Sequence, residues 1–294
     1  MVRRHILIIV NPAAGRARSS ERRLGRFVAA LERQGCTVVL RRAGPSPGQV
    51  ERLAGQAEPG FDAIVAAGGD GTISAVVNGL GGRAVPFGVL PLGSANVLAR
   101  EIRLPRAPEA LASLIATGPV SPIWPGRVGE RAFVMMASAG FDSEIVAALS
   151  PELKRRVGRL AFAWGFLVRL WHCPACELTV RADGVEYRAA AVVAAKGRHY
   201  AGPFVVAPGA DLAEPVLELV LLDRRGRWAM LRYATALFLG RVPRLGDIAI
   251  VRARQASVAG NRALPVQADG EIVGELPITL AVADRPLLLI RPAG

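Results

Sequence analysis

The sequence predicts an α/β domain, a parallel sheet with helices on both faces, followed by an antiparallel β-sandwich domain. Two observations carry that expectation. Over the first half, short apolar runs alternate with segments of helical spacing, which is the rhythm of a parallel sheet covered on both faces. From about Pro122 strand-like runs separated by turn signals take over, which is the rhythm of a sandwich. The domains are placed at 1–123 and 124–294, and a return of the last strand, about 284–294, to the first domain is left open.

Ile6 to Val10 is an apolar run that passes straight into Asn11-Pro12. It is too short for the apolar core of a secretory signal and reads as a first strand. Ser20 to Gln34 places Leu24, Phe27, Val28 and Leu31 at helical spacing. Cys36 to Leu40 is a second strand, followed by the turn-rich Gly44-Pro45-Ser46-Pro47-Gly48 and a helix to Ala57. A strand over Ala63 to Ala67, a helix over Ile73 to Leu80, a strand over Phe87 to Leu90 and a helix over Asn96 to Glu101 complete the alternation. The later strand-like runs are Phe133 to Ala137, Glu177 to Arg181, Glu186 to Ala195, Val216 to Leu222, Ile248 to Val251, Leu264 to Ala268 and Ile278 to Ala283. Helical segments interrupt them at Pro151 to His172 and Arg227 to Leu239. Asp183-Gly184 is a default hairpin turn.

Composition narrows the class. Hydrophobic residues make up 51% of the 294 positions and mean hydropathy is +0.32, so core material is ample. No apolar run approaches the roughly 18 residues needed to cross a bilayer. The net charge of +13, mostly arginine, favours anionic partners such as nucleotide phosphates or lipid head groups. Nucleic acid is not expected, because the arginines are scattered, tyrosines number only three, and no helix-turn-helix or RNA-binding signature is present. Three cysteines do not make a disulfide framework, and Cys173 and Cys176 lack a second pair to complete a zinc site. The expected location is the cytoplasm, with transient membrane contact.

Four Gly/Asn/Asp clusters follow strands: Asn11-Pro12-Ala13-Ala14-Gly15, Gly68-Gly69-Asp70-Gly71-Thr72, Leu90-Pro91-Leu92-Gly93-Ser94-Ala95-Asn96 and Ser138-Ala139-Gly140-Phe141-Asp142. Strand, glycine turn, helix lets backbone N–H groups approach a phosphate at a helix N-terminus. The pattern is neither a Walker A loop nor a dinucleotide fingerprint. Taken in order with a late Asp269-Gly270-Glu271, the clusters resemble the diacylglycerol kinase catalytic family, and within it the compact bacterial YegS-like lipid kinases. The resemblance spans essentially the whole chain. It implies an ATP-binding α/β domain, a β-sandwich lipid-substrate domain, and an active site in the cleft between them.

Carried over position by position, the resemblance implies that Asn11, Pro12 and Gly15 lie against the nucleotide. Gly68, Gly69, Gly71 and Thr72 hold the phosphates, while Gly93, Ser94 and Asn96 form the neighbouring loop. Asp70 makes sense beside phosphate only through Mg²⁺, a hard cation that takes oxygen ligands; its other role is a turn or helix cap. Asn96 either braces its loop or caps the next helix. Asp142 resembles a second acidic residue near the phosphates, serving metal or water. Asp269 is the favoured general base toward the lipid hydroxyl, with Glu271, two residues along a strand, as the alternative base or the group that tunes it. Asp211, Glu214 and Val216 match a structural Mg²⁺ site built from one carboxylate and two main-chain carbonyls. Here Glu214-Pro215 replaces the usual Asp-Gly and leaves occupancy of that site open. Ser94 stands for a usual Thr, Ala43-Gly44 lacks an expected Thr hydroxyl, and Ser74-Ala75 replaces a common Asn-Glu, although Ser74 remains a candidate nucleotide contact.

The expectation is therefore an ATP- and Mg²⁺-dependent lipid kinase with a lipid substrate at a membrane surface; a homodimer is left open. The alternatives are an NAD kinase, which shares Gly-Gly-Asp-Gly-Thr, and an inactive nucleotide- or lipid-binding regulator. The basic, aromatic segment Pro151 to His172 suits an anionic membrane interface or else is a domain-packing helix with solvated arginines; Trp124, Trp164, Trp171 and Trp228, none with an obvious core role, support the membrane reading.

Overall fold

A computed structural model describes residues 2–13, 15, 17–148 and 177–293. The expected helix over Pro151 to His172, with Trp164, Trp171 and the Cys173/Cys176 pair, lies outside them. The chain divides into two units, Met1–Ile123 with Arg285–Gly294, and Trp124–Asp284.

In the first unit the elements run β1 (His5–Val10), α1 (Ala17–Arg33), β2 (Thr37–Arg42), α2 (Gln49–Gly55), β3 (Ala63–Gly68), α3 (Asp70–Leu80), β4 (Phe87–Pro91), α4 (Val97–Glu101), α5 (Pro108–Thr117) and β5 (Val120–Ile123). The sheet order is β2-β1-β3-β4, then the chain's final strand Leu287–Ile290, then β5. Its first five members are parallel, and β5 is antiparallel to the final strand. Central strands read as continuous apolar runs because both faces are covered. Ile6, Leu7, Ile8 and Ile9 are each 0% exposed, and burial of such a side chain stabilises by about 1.5–3 kcal/mol. One face packs on Phe27 and Leu31 of α1 and on Leu111 and Ile115 of α5. Helix α5, not anticipated from the sequence, begins with proline in its first turn, where the missing N–H is harmless.

In the second unit the order is β6 (Gly126–Val128), β7 (Arg131–Phe133), β8 (Met136–Ala139), α6 (Phe141–Ala148), β9 (Leu178–Ala182), β10 (Val185–Ala189), β11 (Ala191–Ala195), β12 (His199–Tyr200), β13 (Phe204–Val205), β14 (Leu217–Leu222), α7 (Arg227–Phe238), β15 (Ile248–Ala253), β16 (Gln255–Gly260), β17 (Pro265–Ala268), β18 (Glu271–Glu275) and β19 (Ile278–Val282). The final strand is thus β20. Two six-stranded antiparallel sheets form, β10-β9-β16-β19-β6-β7 and β15-β14-β11-β8-β17-β18. Period-two alternation sorts the side chains. Leu217, Leu219 and Leu221 of β14 enter the core shared with Val180 and Val258, and Val220 faces a second core with Ala236 of α7. The run 186–195, read from sequence as one strand, crosses at Ala190 from the first sheet to the second. Trp124 packs against the sandwich core, so it has the core role the sequence did not reveal.

Candidate functional site

Strands β1, β3 and β4 are neighbours, and each runs at its carboxyl end into one of the glycine loops, the end where parallel sheets present ligand sites. Within this unit the loops touch. Leu92 N–H donates to the Gly68 carbonyl at 2.8 Å, and Asn11 N–H to the Ala67 carbonyl at 3.1 Å. Asn11 Nδ2 donates to Thr72 Oγ1 at 3.2 Å, and Asn11 Oδ1 accepts the Ala13 N–H at 3.1 Å. A Cβ on Gly93 would stand 2.6 Å from Gly69 Cα, and one on Gly68 would stand 2.2 Å from Thr72 Oγ1. Gly15, at φ +75°, would put a Cβ 2.1 Å from the Leu92 carbonyl oxygen. Only glycine permits these approaches.

Helix α3 starts at Asp70 with Gly69 before it and no side-chain cap. The first-turn N–H groups therefore lack helical acceptors of their own, although Thr72 and Ile73 N–H reach back to the Gly69 carbonyl at 3.0 and 3.1 Å. Pro12 and Ser94 are exposed and Gly71 is half-buried. Ser74 is 3% exposed in the interior face of α3 and offers a ligand almost no surface, contrary to the expected nucleotide contact.

Asp70 does not stand alone. Its Oδ1 accepts the Val97 N–H at 2.6 Å, at the start of α4, with Asn96 and Leu98 N–H adding to it. Burial raises its carboxyl above the ordinary value, against those backbone bonds. The acid after the glycines thus caps the helix following the neighbouring glycine loop. Asn96, at φ 48°, braces its own loop: Oδ1 accepts Gly93 N–H at 3.0 Å and Nδ2 donates to the Gly93 carbonyl at 2.7 Å.

In the second unit, Asp269-Gly270 is a two-residue turn between β17 and β18 with φ 47° and 86°. Asp183-Gly184 has the same form, φ 45° and 90°. Each Asp accepts backbone N–H groups from a neighbouring segment distant in sequence: Arg254 and Gln255 at 3.0 and 3.1 Å for Asp183, and Val134, Met135 and Met136 at 2.7, 2.9 and 3.1 Å for Asp269. The Asp269 carboxylate is thus bound on both oxygens by the backbone of the segment that leads into β8. Glu271, whose side chain is 51% exposed, lies 3.8 Å from Arg131 Nη2.

Asp142, in the first turn of α6, is enclosed by donors. Ser138 Oγ lies 2.8 Å from Oδ2, Tyr200 donates to the same oxygen at 3.1 Å, and Gln267 Nε2 at 3.4 Å. Burial raises both the Asp142 carboxyl and the Tyr200 phenol. Gln267 Nε2 also donates to Ser138 Oγ at 2.7 Å, while its Oε1 accepts Gly270 N–H at 2.9 Å. Gln267 therefore joins the Asp142 cluster to the turn that carries Glu271. Ser138, Tyr200 and Gln267 were not singled out from sequence; Ser138 opens the Ser-Ala-Gly-Phe-Asp cluster and Gln267 stands directly before Ala-Asp-Gly-Glu, so adjacency was the available signal.

The Asp211, Glu214 and Val216 carbonyls do converge, but on a side chain. Lys196 Nζ donates to the Asp211 and Val216 carbonyls at 3.0 and 2.9 Å, and to that of Glu214. Among the described residues no three His, Cys, Asp or Glu side chains gather into a metal site.

Comparison with known proteins fits these two halves. The diacylglycerol kinase catalytic domain model matches residues 5–128, and the YegS C-terminal NAD kinase beta sandwich-like domain model matches residues 135–291. A diacylglycerol kinase of Mycobacterium tuberculosis is 28% identical, over 99% of this chain and 97% of its own length. A Pseudomonas putida protein named probable lipid kinase YegS-like is 29% identical, over 84% of this chain and 83% of its own. The fold matches a crystal structure of a diacylglycerol kinase from Bacillus anthracis strain Sterne with a TM-score of 0.74 at 18% identity, covering 99% of this chain and 97% of that one. The chain belongs to the diacylglycerol kinase and YegS family of lipid kinases, which are phosphotransferases.

Proposed function

We propose that the chain transfers the γ-phosphoryl group of ATP, carried as its Mg²⁺ complex, to a hydroxyl of diacylglycerol or a related lipid alcohol. The observation that carries this reading is the meeting of three glycine loops at the ends of β1, β3 and β4. Phosphoryl transfer asks mainly for positioning and charge neutralisation, and backbone N–H groups at the start of α3 suit phosphate oxygens. Asn11 and Thr72 hold the first two loops together, and Asp70 and Asn96 hold the third. In this role Asp70 positions a loop; its carboxylate is engaged by backbone and is a poor preformed metal ligand. The Mg²⁺ would come in on the triphosphate's own oxygens, where it neutralises charge.

Of the two candidate bases, Glu271 is the better suited. Its side chain is half exposed, whereas the Asp269 carboxylate holds three backbone N–H groups. Glu271 accepts the hydroxyl proton of the lipid as a positioned general base, and Asp269 and Gln267 fix the turn from which it projects.

Lipid contact is assigned to α7. Trp228 and Phe238 are each 73% exposed, with Leu231 at 39% and Leu239 at 55%. Positions 228, 231, 235 and 238 share a helical stripe. Exposed Arg227, Arg241 and Arg244 flank it, and Arg227 lies 5.7 Å from the Trp228 ring centroid. An aromatic stripe rimmed with arginine suits an anionic membrane surface. No helix among the described residues is long and apolar enough to cross a membrane.

The test is incubation of purified protein with γ-labelled ATP, total lipid from the host and NAD, with the labelled product identified by mass. A phosphorylated lipid alcohol is expected. ATP binding without transfer would favour the regulator reading, and labelling of NAD alone would favour the NAD kinase.

A further inference from the structure

We propose that Lys196 replaces, from within the chain, the divalent cation that the family resemblance assigns to Asp211, Glu214 and Val216, so that this loop is held by an ammonium group and takes up no metal. The carbonyl oxygens of those three residues point at one place, and Lys196 Nζ is there. An ammonium has three donors and no acceptor, so three carbonyls satisfy it completely. Lys196 is 0% exposed; a lysine so buried is tolerated only when paired in this way.

The carboxylates a metal would draw on are engaged elsewhere. Glu214, which departs from the family pattern, pairs with Arg252. Asp211 Oδ1 accepts the Ala213 N–H at 2.9 Å, and its negative charge still stabilises the Lys196 ammonium. Two acidic and two basic side chains thus balance locally with no added ion. A divalent cation held by one carboxylate and two main-chain carbonyls would need two of these carbonyl oxygens at about 2.0–2.6 Å, and Lys196 Nζ already holds all three.

The lysine also sits within the candidate site's framework. Its backbone N–H donates to the Met135 carbonyl at 2.8 Å, and Met135 N–H donates to Asp269 Oδ1 at 2.9 Å. From the other side, Glu218 accepts the Gly209 N–H at 3.2 Å, and burial raises its carboxyl. One buried cation therefore takes the loop's carbonyls and one buried carboxylate its N–H groups.

The metal expectation comes from the family resemblance, but the test reads metal content and melting, so it can fail independently of the kinase reading. The wild-type chain, without nucleotide, is expected to melt at the same temperature in EDTA and in Mg²⁺ or Ca²⁺. By elemental analysis it should carry no stoichiometric divalent ion. Lys196→Ala leaves the carbonyls unpaired and should lower the melting temperature by several degrees in EDTA. Mg²⁺ or Ca²⁺ should restore part of that loss, and Asp211→Asn in the same chain should abolish the restoration. One divalent ion per wild-type chain, lost on Asp211→Asn, overturns the proposal whether or not the lysine variant folds. So does a Lys196→Ala protein that melts with the wild type, or one that neither ion restores.

Discussion

Exchanging Asp269 for Asn and Glu271 for Gln separates the two carboxylates of one turn by what each holds. Asp269 accepts three backbone N–H groups at 2.7–3.1 Å on both oxygens. Asparagine keeps one oxygen and presents an NH₂ group to at least one N–H donor. Hydrogen bonds to a charged group stabilise by about 1.5–3 kcal/mol each, so Asp269→Asn, which loses about one such bond, should cost about that much. In a unit the size of Trp124–Asp284, that is a fall of about 3–12 °C in melting temperature. Glu271→Gln neutralises a half-exposed group and should leave melting within about 2 °C, since such surface changes usually stay within about 0.5 kcal/mol. Its turnover should fall by about 10²–10⁴-fold with ATP affinity intact, the range expected for loss of a general base. Differential scanning fluorimetry and labelled-phosphate transfer read both variants. If Asp269→Asn melts with the wild type yet abolishes transfer, or Glu271→Gln transfers normally, the division of roles is wrong.

Gly93→Ala would set a Cβ 2.6 Å from Gly69 Cα, where ordinary contact begins at 3.4 Å. Overpacking of that kind costs about 1–3 kcal/mol, and ATP affinity by calorimetry should drop about tenfold or more. Gly25→Ala, with nothing within 4 Å on the exposed side of α1, should instead stabilise by up to about 1 kcal/mol and leave ATP binding unchanged. Burial raises the Asp142 carboxyl above its ordinary 3.8, so its stabilising contribution is full below that value and is lost as pH rises through the folded-state pKa. Asp142→Asn should therefore compare more favourably with the wild type in melting at pH ~7.5 than at pH ~4.5, by this linkage, and an unchanged difference would contradict the burial. Trp228→Ala with Phe238→Ala should reduce co-sedimentation with anionic vesicles about tenfold or more, given about 1.5–3 kcal/mol per aromatic buried. Turnover on a short-chain dispersed substrate should stay unchanged, and undiminished vesicle binding would remove α7 from the membrane face.

The α/β half is legible because its signals are local. Ile6 to Val10 and Ala63 to Ala67 are buried on both faces, and the apolar spacing of Leu24, Phe27 and Leu31 is the core stripe of α1. Strands β16 and β18 escaped notice for a physical reason. Only Ala256 and Val258 are buried in β16, and β18 is exposed along almost its whole length. The alternation in β16 spans only two small apolar positions, Ala256 and Val258, and β18 shows none. The run 186–195 misled because its switch between sheets at Ala190 uses no glycine or proline.

The glycine loops were legible because their spacing and type are set by close backbone approach. The partners of the charged residues were not. Asp70 caps a helix that starts 27 positions on, and Lys196 meets carbonyls 15 to 20 positions away. Sequence spacing carries no trace of either pairing, since tertiary packing sets both. Asp269 and Asp183 show the converse: the same dipeptide in the same turn, distinguished in sequence by its flanks, Gln267 and Glu271 around Asp269-Gly270 against Arg181 and Val185 around Asp183-Gly184.

The most direct measurement is hydrogen exchange at single-residue resolution with and without saturating Mg²⁺-ATP. Protection should rise at the backbone amides of residues 68–72, with smaller gains over 11–15 and 92–97. Saturation by nucleotide with exchange at 68–72 unchanged would contradict the placement of the triphosphate on those loops.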